Sequence, residues 1–259
     1  MLLFIGGVLL GGIVLLNNVM PLGQPRAGTA SYTLRALFGF VFIPVALWLG
    51  LPILHRRGFG SLFGPFAAAI RDFRKCLPLL VLVFAVQQVL YLSSLDSYRS
   101  GLEFGTWLLL VPLSLSAILI QTSAEELLFR GYILQQIAVI LPGKWAWMGL
   151  SSLLFGLLHY DPVAQGSAAY FVAIWASLFG LAAADLTYRS GNIGAAIALH
   201  FVINSSALMF VSLPGAFSGL ALLQINSSLE ELASDTTLLF GEMVVLLIGW
   251  LACRLALRR

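Results

Sequence analysis

The stretch Gln121–Gln136, QTSAEELLFRGYILQQ, places Glu125, Glu126 and Arg130 inside a run that otherwise reads as a membrane-spanning helix. Apolar sequence flanks these charges, from Thr106 to Ile120 before and from Leu127 to Leu141 after. A charged side chain at the bilayer centre costs roughly 2.5–3.5 kcal/mol on insertion scales, so three together need compensation or a purpose. Glu126 and Arg130 are four apart on a helix and can pair with each other. Glu125 lies about 100° round the helix, on another face, with no obvious local partner. The bland alternative is an ion-pair cluster that only locks helices together. Against it, an ionisable residue inside the membrane is by default a functional candidate.

The whole chain agrees with a membrane setting. Of its 259 residues, 60% are hydrophobic and 10% charged, and the mean hydropathy is +0.97. Soluble domains carry about a quarter charged residues, so length here counts spans rather than soluble domains. The net charge of +3 does not indicate nucleic acid, because the basic residues lie between apolar runs, where a topology signal belongs. Cys76 and Cys253 sit near span ends beside basic residues and read as reduced thiols with no disulfide.

Working outward from the charged stretch gives about eight transmembrane helices, an all-α integral membrane bundle with a polar intramembrane cavity. Leu2 to Met20 reads as a retained first helix, with Gly7 and Gly11 forming a G-x-x-x-G face. Leu34 to Leu54 and Leu77 to Leu95 follow, separated by the basic segment His55 to Lys75. Phe104 to Ile140 is too long for one upright span and is expected as a tilted helix or a helix plus a re-entrant turn, with Pro112 placed to kink it. Trp145 to His159, Ala168 to Tyr188, Ile193 to Val211 and Leu238 to Leu257 complete the set, with an acidic loop from Ser212 to Thr237. Three regions result: 1–103 with about three N-terminal helices, 104–211 as the core, and 212–259 as the acidic loop and final helix. The basic 55–75 segment, Lys144, Arg189 and the Arg-rich C-terminus fall on one side, which places both termini in the cytoplasm. Arg26 and Arg35 fall on the other side and are the exceptions.

Only three histidines occur, and two of them, His159 and His200, lie inside apolar helices. Asn204 follows His200 by one turn on the same face. Singly, each reads as an interhelical hydrogen bond, and His55 in the basic segment reads as a solvated or interfacial residue. Taken from the basic ends of their helices, Glu125 and His159 both lie about 22 Å in and His200 about 15 Å in, so one polar cluster is geometrically consistent. Glu125 could then act as general base toward water, aided by a histidine. A His–Asn pair facing the same cavity could donate to the oxyanion of a peptide carbonyl under attack. Alternatively, Glu125, His159 and His200 form a two-His, one-carboxylate set for zinc with a fourth position open to water. No serine, cysteine or lysine is placed as a nucleophile, so water is the attacking group. There is no G-x-S-x-G elbow and no H-E-x-x-H pair.

Taken in order, E-E-x-x-x-R (Glu125, Glu126, Arg130), F-x-x-x-H (Phe155, His159) and H-x-x-x-N (His200, Asn204) resemble the three motifs of the CPBP family. These are the type II CAAX prenyl proteases and bacteriocin-processing, or Abi, intramembrane proteases. The resemblance implies an eight-helix membrane protease in which Glu125 activates the hydrolytic water with help from His159. By the same analogy His200 with Asn204 stabilises the oxyanion, and Glu126 and Arg130 are supporting residues. Phe155 is expected to pack against His159. The implied substrate is a membrane-embedded or lipidated peptide or protein, and the implied location the inner membrane of a bacterial cell. A zinc ion is the one cofactor in question.

Two other classes compete with a protease. A membrane immunity or partner-binding protein could keep the fold and motifs without catalysis. A proton-coupled transporter using Glu125 and the histidines as a relay would show inverted repeats and paired broken helices, and the sequence has neither. The intact motif set favours catalysis.

Overall fold

The computed structural model describes residues 6–8, 11–12, 26–94 and 98–258. The expected first span, Leu2 to Met20, therefore lies largely outside the described residues. Among the described residues, five helical stretches are long and apolar enough to cross a membrane: Ala30–His55, Phe66–Ser93, Phe104–Ile140, Pro162–Ser190 and Thr236–Ala256. This is a multi-pass, mainly helical membrane protein. The expected helices around Trp145–His159 and Ile193–Val211 form close to their expected bounds, as Lys144–Leu157 and Gly194–Phe210, the latter ending in a π turn. About 20 residues are needed to cross hydrocarbon, so among the described residues five of the expected spans reach crossing length.

In chain order the helices are α1 (Ala30–Gly39), α2 (Phe42–His55), α3 (Phe66–Ser94), α4 (Phe104–Ile140), α5 (Lys144–Leu157), α6 (Ala169–Ser190), α7 (Gly194–Ser205), α8 (Leu229–Ser234) and α9 (Thr236–Ala256). The α4 run has no re-entrant turn. Its helix stays continuous, with Pro112 inside it, and its hydrogen-bonding pattern widens to a π-helix over Leu127–Ile133, just past the two glutamates. π turns are uncommon and recur at functional sites. The helix α3 begins eleven residues earlier than expected and absorbs Arg71, Arg74 and Lys75 into its first turns.

One addition to the all-α expectation is a three-stranded sheet of short strands, β1 (Tyr98–Ser100), β2 (Val211–Ser212) and β3 (Leu223–Ile225). In it β3 lies centrally, antiparallel to β1 and parallel to β2. It closes the end of the bundle that carries the 212–237 segment, where Gly28 N–H also donates to Ala216 O at 2.9 Å. The opposite end gathers the basic residues. There Ile193 N–H donates to Phe63 O at 3.3 Å, Arg57 Nη2 to Gln135 Oε1 at 2.8 Å, and Trp250 Nε1 to Asp185 Oδ2 at 3.0 Å. His55, expected as a solvated or interfacial residue, is half-buried at this end, with Nε2 at 3.0 Å from the Tyr132 hydroxyl.

Small residues bring the central helices together. A Cβ at Gly156 of α5 would collide with Ala173 O and Ser177 Oγ of α6, and one at Gly180 would press on Ser152. Close backbone approach through Gly, Ala and Ser is the usual packing of membrane helices, because lipid supplies no hydrophobic drive. The approach fixes α5 against α6 and thereby sets where Phe155 and His159 stand. On the far side of the bundle, Glu242 of α9 accepts hydrogen bonds from Gln87 Nε2 (2.9 Å) and the Tyr91 hydroxyl of α3. Glu242 is an intramembrane carboxylate that a reading of 238–257 as one apolar run passes over.

Candidate active site

Three elements supply the expected site residues. α4 presents Glu125 and Glu126 at the start of its π turn, α5 ends at the turn carrying His159, and α7 carries His200 and Asn204. Glu126 and Arg130 form the i, i+4 pair, with Arg130 Nη1 donating to Glu126 Oε1 at 3.0 Å and both side chains buried. The guanidinium lies over the Phe155 ring at 4.6 Å and the Phe179 ring at 5.4 Å. Aromatic faces carry negative potential, so they compensate the cation where water cannot.

Glu126 does more than pair with Arg130. The same Oε1 accepts from His200 Nδ1 at 2.7 Å. A carboxylate accepts and does not donate, so Nδ1 carries the proton and His200 Nε2 points the other way. That nitrogen lies 3.6 Å from Glu125 Oε2. Glu125 Oε2 has no hydrogen-bond partner among the described residues, although its side chain is only 12% exposed. A buried carboxylate oxygen with no partner is a rare feature, and among the described residues Glu126 Oε2 and Arg130 Nη2 share it.

His159 is fixed in the same manner. Its Nδ1 lies 2.8 Å from the Phe155 carbonyl oxygen, which can only accept, so Nδ1 donates and Nε2 is left with its lone pair. Phe155 packs on the imidazole with ring centroids 4.5 Å apart, and Phe179 covers His200 at 4.7 Å. Asn204 donates through Nδ2 to Gln121 Oε1 at 2.8 Å. Gln121 is one turn before Glu125 on α4, so one polar stripe of that helix holds both residues.

His159, His200 and Asn204 line one cavity of about 130 Å³ together with Phe155, Trp175 and Phe179. Most of its wall is aromatic and aliphatic rather than polar, with polar groups at a few points. Glu125 stands behind His200. The described lining thus brings two histidines and the asparagine together and places the carboxylate beside one of them. Sequence reasoning missed three contributors. Gln121 carried a signal, a polar residue at i−4 from Glu125 in an apolar helix. Trp175 and Phe179 carried none, being two aromatics among many in α6. Trp175 Nε1 is buried and has no hydrogen-bond partner, so it is a further free donor on a side chain that lines this cavity.

The zinc alternative does not fit these donors. Each histidine holds Nδ1 on a protein acceptor and keeps Nε2 as its available ligand atom, but among the described residues no three His, Cys, Asp or Glu side chains converge so that they could hold a metal ion. The set Glu125, His159 and His200 expected for metal is therefore not formed. Cys76 and Cys253 are free and buried, away from this site.

Comparison with known proteins points to the same segment. A family model described as Rce1-like, type II CAAX prenyl endopeptidase, matches residues 106–206, which contain all the site residues above. The uncharacterized protein YyaK of Bacillus subtilis (strain 168) is 28% identical over 181 residues, covering 67% of this chain. The match spans 59% of that relative's length. No solved structure matches. Over residues 106–206 the chain is thus similar to the type II CAAX prenyl endopeptidase, Rce1-like, family.

Proposed function

We propose that this protein is an intramembrane endopeptidase that hydrolyses a peptide bond of a membrane-embedded or lipidated, CAAX-like peptide or protein by glutamate-activated water. The observation that carries the reading is the unpartnered Glu125 Oε2 beside His200 Nε2, next to a cavity lined by His159, His200 and Asn204.

In this mechanism Glu125 Oε2 removes a proton from a water molecule, whose oxygen forms a bond to the substrate carbonyl carbon. The carbonyl π electrons move onto oxygen, and that oxyanion accepts from the Asn204 amide. His200, oriented by Glu126, donates from Nε2 when protonated there. His159 Nε2, its lone pair directed by the Phe155 contact, holds the water or shares its proton. The tetrahedral intermediate then expels the amine as the C–N bond breaks, and Glu125 returns the proton to the leaving nitrogen. The products are a carboxylate and an amine. Arg130 holds Glu126 in place as the acceptor for His200. No step passes through a metal.

Cleavage of quenched fluorescent peptides, prenylated and unprenylated, by purified wild-type and Glu125→Ala protein tests the reading, each with and without a strong chelator. Loss of a general base costs about 10²–10⁴-fold in kcat, so Glu125→Ala is expected to be inactive while keeping its helical content. Turnover surviving in that variant, or abolished in the wild type by chelation, overturns the mechanism.

A further inference from the structure

A second concavity, sharing no lining residue with the candidate site, lies between α6 and α9 toward the basic end of the bundle. Its volume is about 490 Å³, and its walls include Leu178 and Leu181 of α6 and Met243, Leu246 and Leu247 of α9. That volume falls within the ~300–1,000 Å³ typical of small-ligand sites. Leu178 and Leu247 are well exposed on it, and both helices belong to membrane spans.

At one end the apolar walls give way to charge and aromatic rings. Asp185, Arg189, Trp250 and Arg254 complete the lining, and Lys144 sits beside Trp145 at the rim, 5.7 Å from the Tyr188 ring. Asp185 is satisfied within the chain, accepting from Arg189 Nε at 2.8 Å and from Trp250 Nε1 at 3.0 Å. The other cations are not consumed. Arg254 stacks over Trp250 at 4.7 Å and forms no ion pair among the described residues, and Arg189 uses only its Nε donor. Lys144, Arg189 and Arg254 therefore stand near one carboxylate, Asp185, and the surplus positive charge has no counter-ion among the described residues.

The depth of the groove is also specific. From Leu178 to Arg189, and from Met243 to Arg254, the helices run eleven residues, about 16 Å at helical rise. One leaflet is half of the roughly 30 Å hydrocarbon core. The apolar walls thus match one acyl leaflet, with the guanidinium groups at headgroup level and tryptophans at the interface where such rings settle.

We infer that the α6–α9 groove is a binding site for one anionic glycerophospholipid, its acyl chain along Leu178, Leu181 and Leu247 and its phosphate on Arg254 and Arg189. Basic pockets between membrane helices recognise anionic headgroups in this way. The proposal does not rest on the protease reading, and its test uses no turnover.

The full chain in neutral detergent is titrated with phosphatidylglycerol, phosphatidylcholine or inorganic phosphate while its thermal midpoint and monomer content are followed. Phosphatidylglycerol is expected to raise the midpoint of the wild type at concentrations where phosphatidylcholine and phosphate do not. Arg254→Gln is expected to weaken the apparent affinity for phosphatidylglycerol about fivefold, leaving phosphatidylcholine unaffected. Arg254→Lys, which keeps the charge, is expected to retain the preference and guards against a folding defect in the glutamine variant. Equal shifts with the two lipids, a full shift with phosphate alone, a preference surviving in Arg254→Gln, or a lipid-independent dimer would each overturn the assignment.

Discussion

Arg130→Ala is the sharpest test of how this membrane interior tolerates its charges. Arg130 and Glu126 are 1% and 0% exposed, and Glu126 Oε1 receives both the guanidinium and His200 Nδ1. Removing the guanidinium leaves Glu126 in a dry site with one neutralisable partner and removes the ion stacked between Phe155 and Phe179. Breaking a buried pair from one side costs about 3–5 kcal/mol. On the scaling for chains of 150–250 residues that is roughly 6–20 °C in thermal midpoint. Removing both charges with Glu126→Gln and Arg130→Met should recover most of the loss, because no uncompensated ion remains. Activity should not return in full with it, because His200 Nδ1 then meets a neutral amide oxygen in place of a carboxylate. The assay is the thermal midpoint and folded yield of the two variants and the wild type in one detergent, followed by peptide cleavage. A midpoint for Arg130→Ala within 2 °C of wild type, or a double variant no better than the single, would refute the reasoning.

Three further outcomes follow from single contacts. Gln121→Leu removes the acceptor for Asn204 Nδ2 and is expected to lower kcat about 10–100-fold with little change in KM. Gln121→Glu, which keeps an acceptor oxygen, should restore most of it. Trp175→Phe deletes only the buried free N–H at the cavity and is expected to lower kcat/KM by about tenfold or more with an unchanged thermal midpoint; no kinetic effect would remove Trp175 from the site. Glu103 caps α4 by accepting from Gly105 N–H and Thr106 N–H, and these bonds hold its carboxyl below the ordinary 4.5. Its contribution to stability is present above that value and is lost as pH falls through the lower folded-state value. The thermal midpoint of Glu103→Gln should therefore lie below wild type at pH 7, and the gap should close as pH falls below the ordinary carboxylate range.

How far the sequence could be read depended on the range of each interaction. The Glu126–Arg130 pair was legible because helical spacing alone brings i and i+4 together. Phe155 against His159 was legible for the same reason. The span at 104–140 was found from its hydropathy, but the choice between a broken and a continuous helix was not, because the π turn at Leu127–Ile133 answers to packing around Arg130 rather than to local propensity. Whether α5 and α7 face lipid or pack inside the bundle was likewise hidden. Apolar residues fill a buried inner helix as readily as a lipid-facing span.

By itself the sequence determined that this is a membrane protein, that its basic residues would gather on one side, and which polar residues inside its helices were candidates for chemistry. Those properties are local: hydropathy, charge and helical periodicity are written in neighbouring residues. Only the tertiary structure decided which side chains meet. It turned His200 toward Glu126 as well as Glu125, bound Asn204 to Gln121, brought Trp175 and Phe179 of α6 to the cavity wall, and separated the donors a metal would need. Each of these contacts joins residues tens of positions apart, and the crossing of packed helices, set by small residues such as Gly156 and Gly180, fixes them to within an ångström.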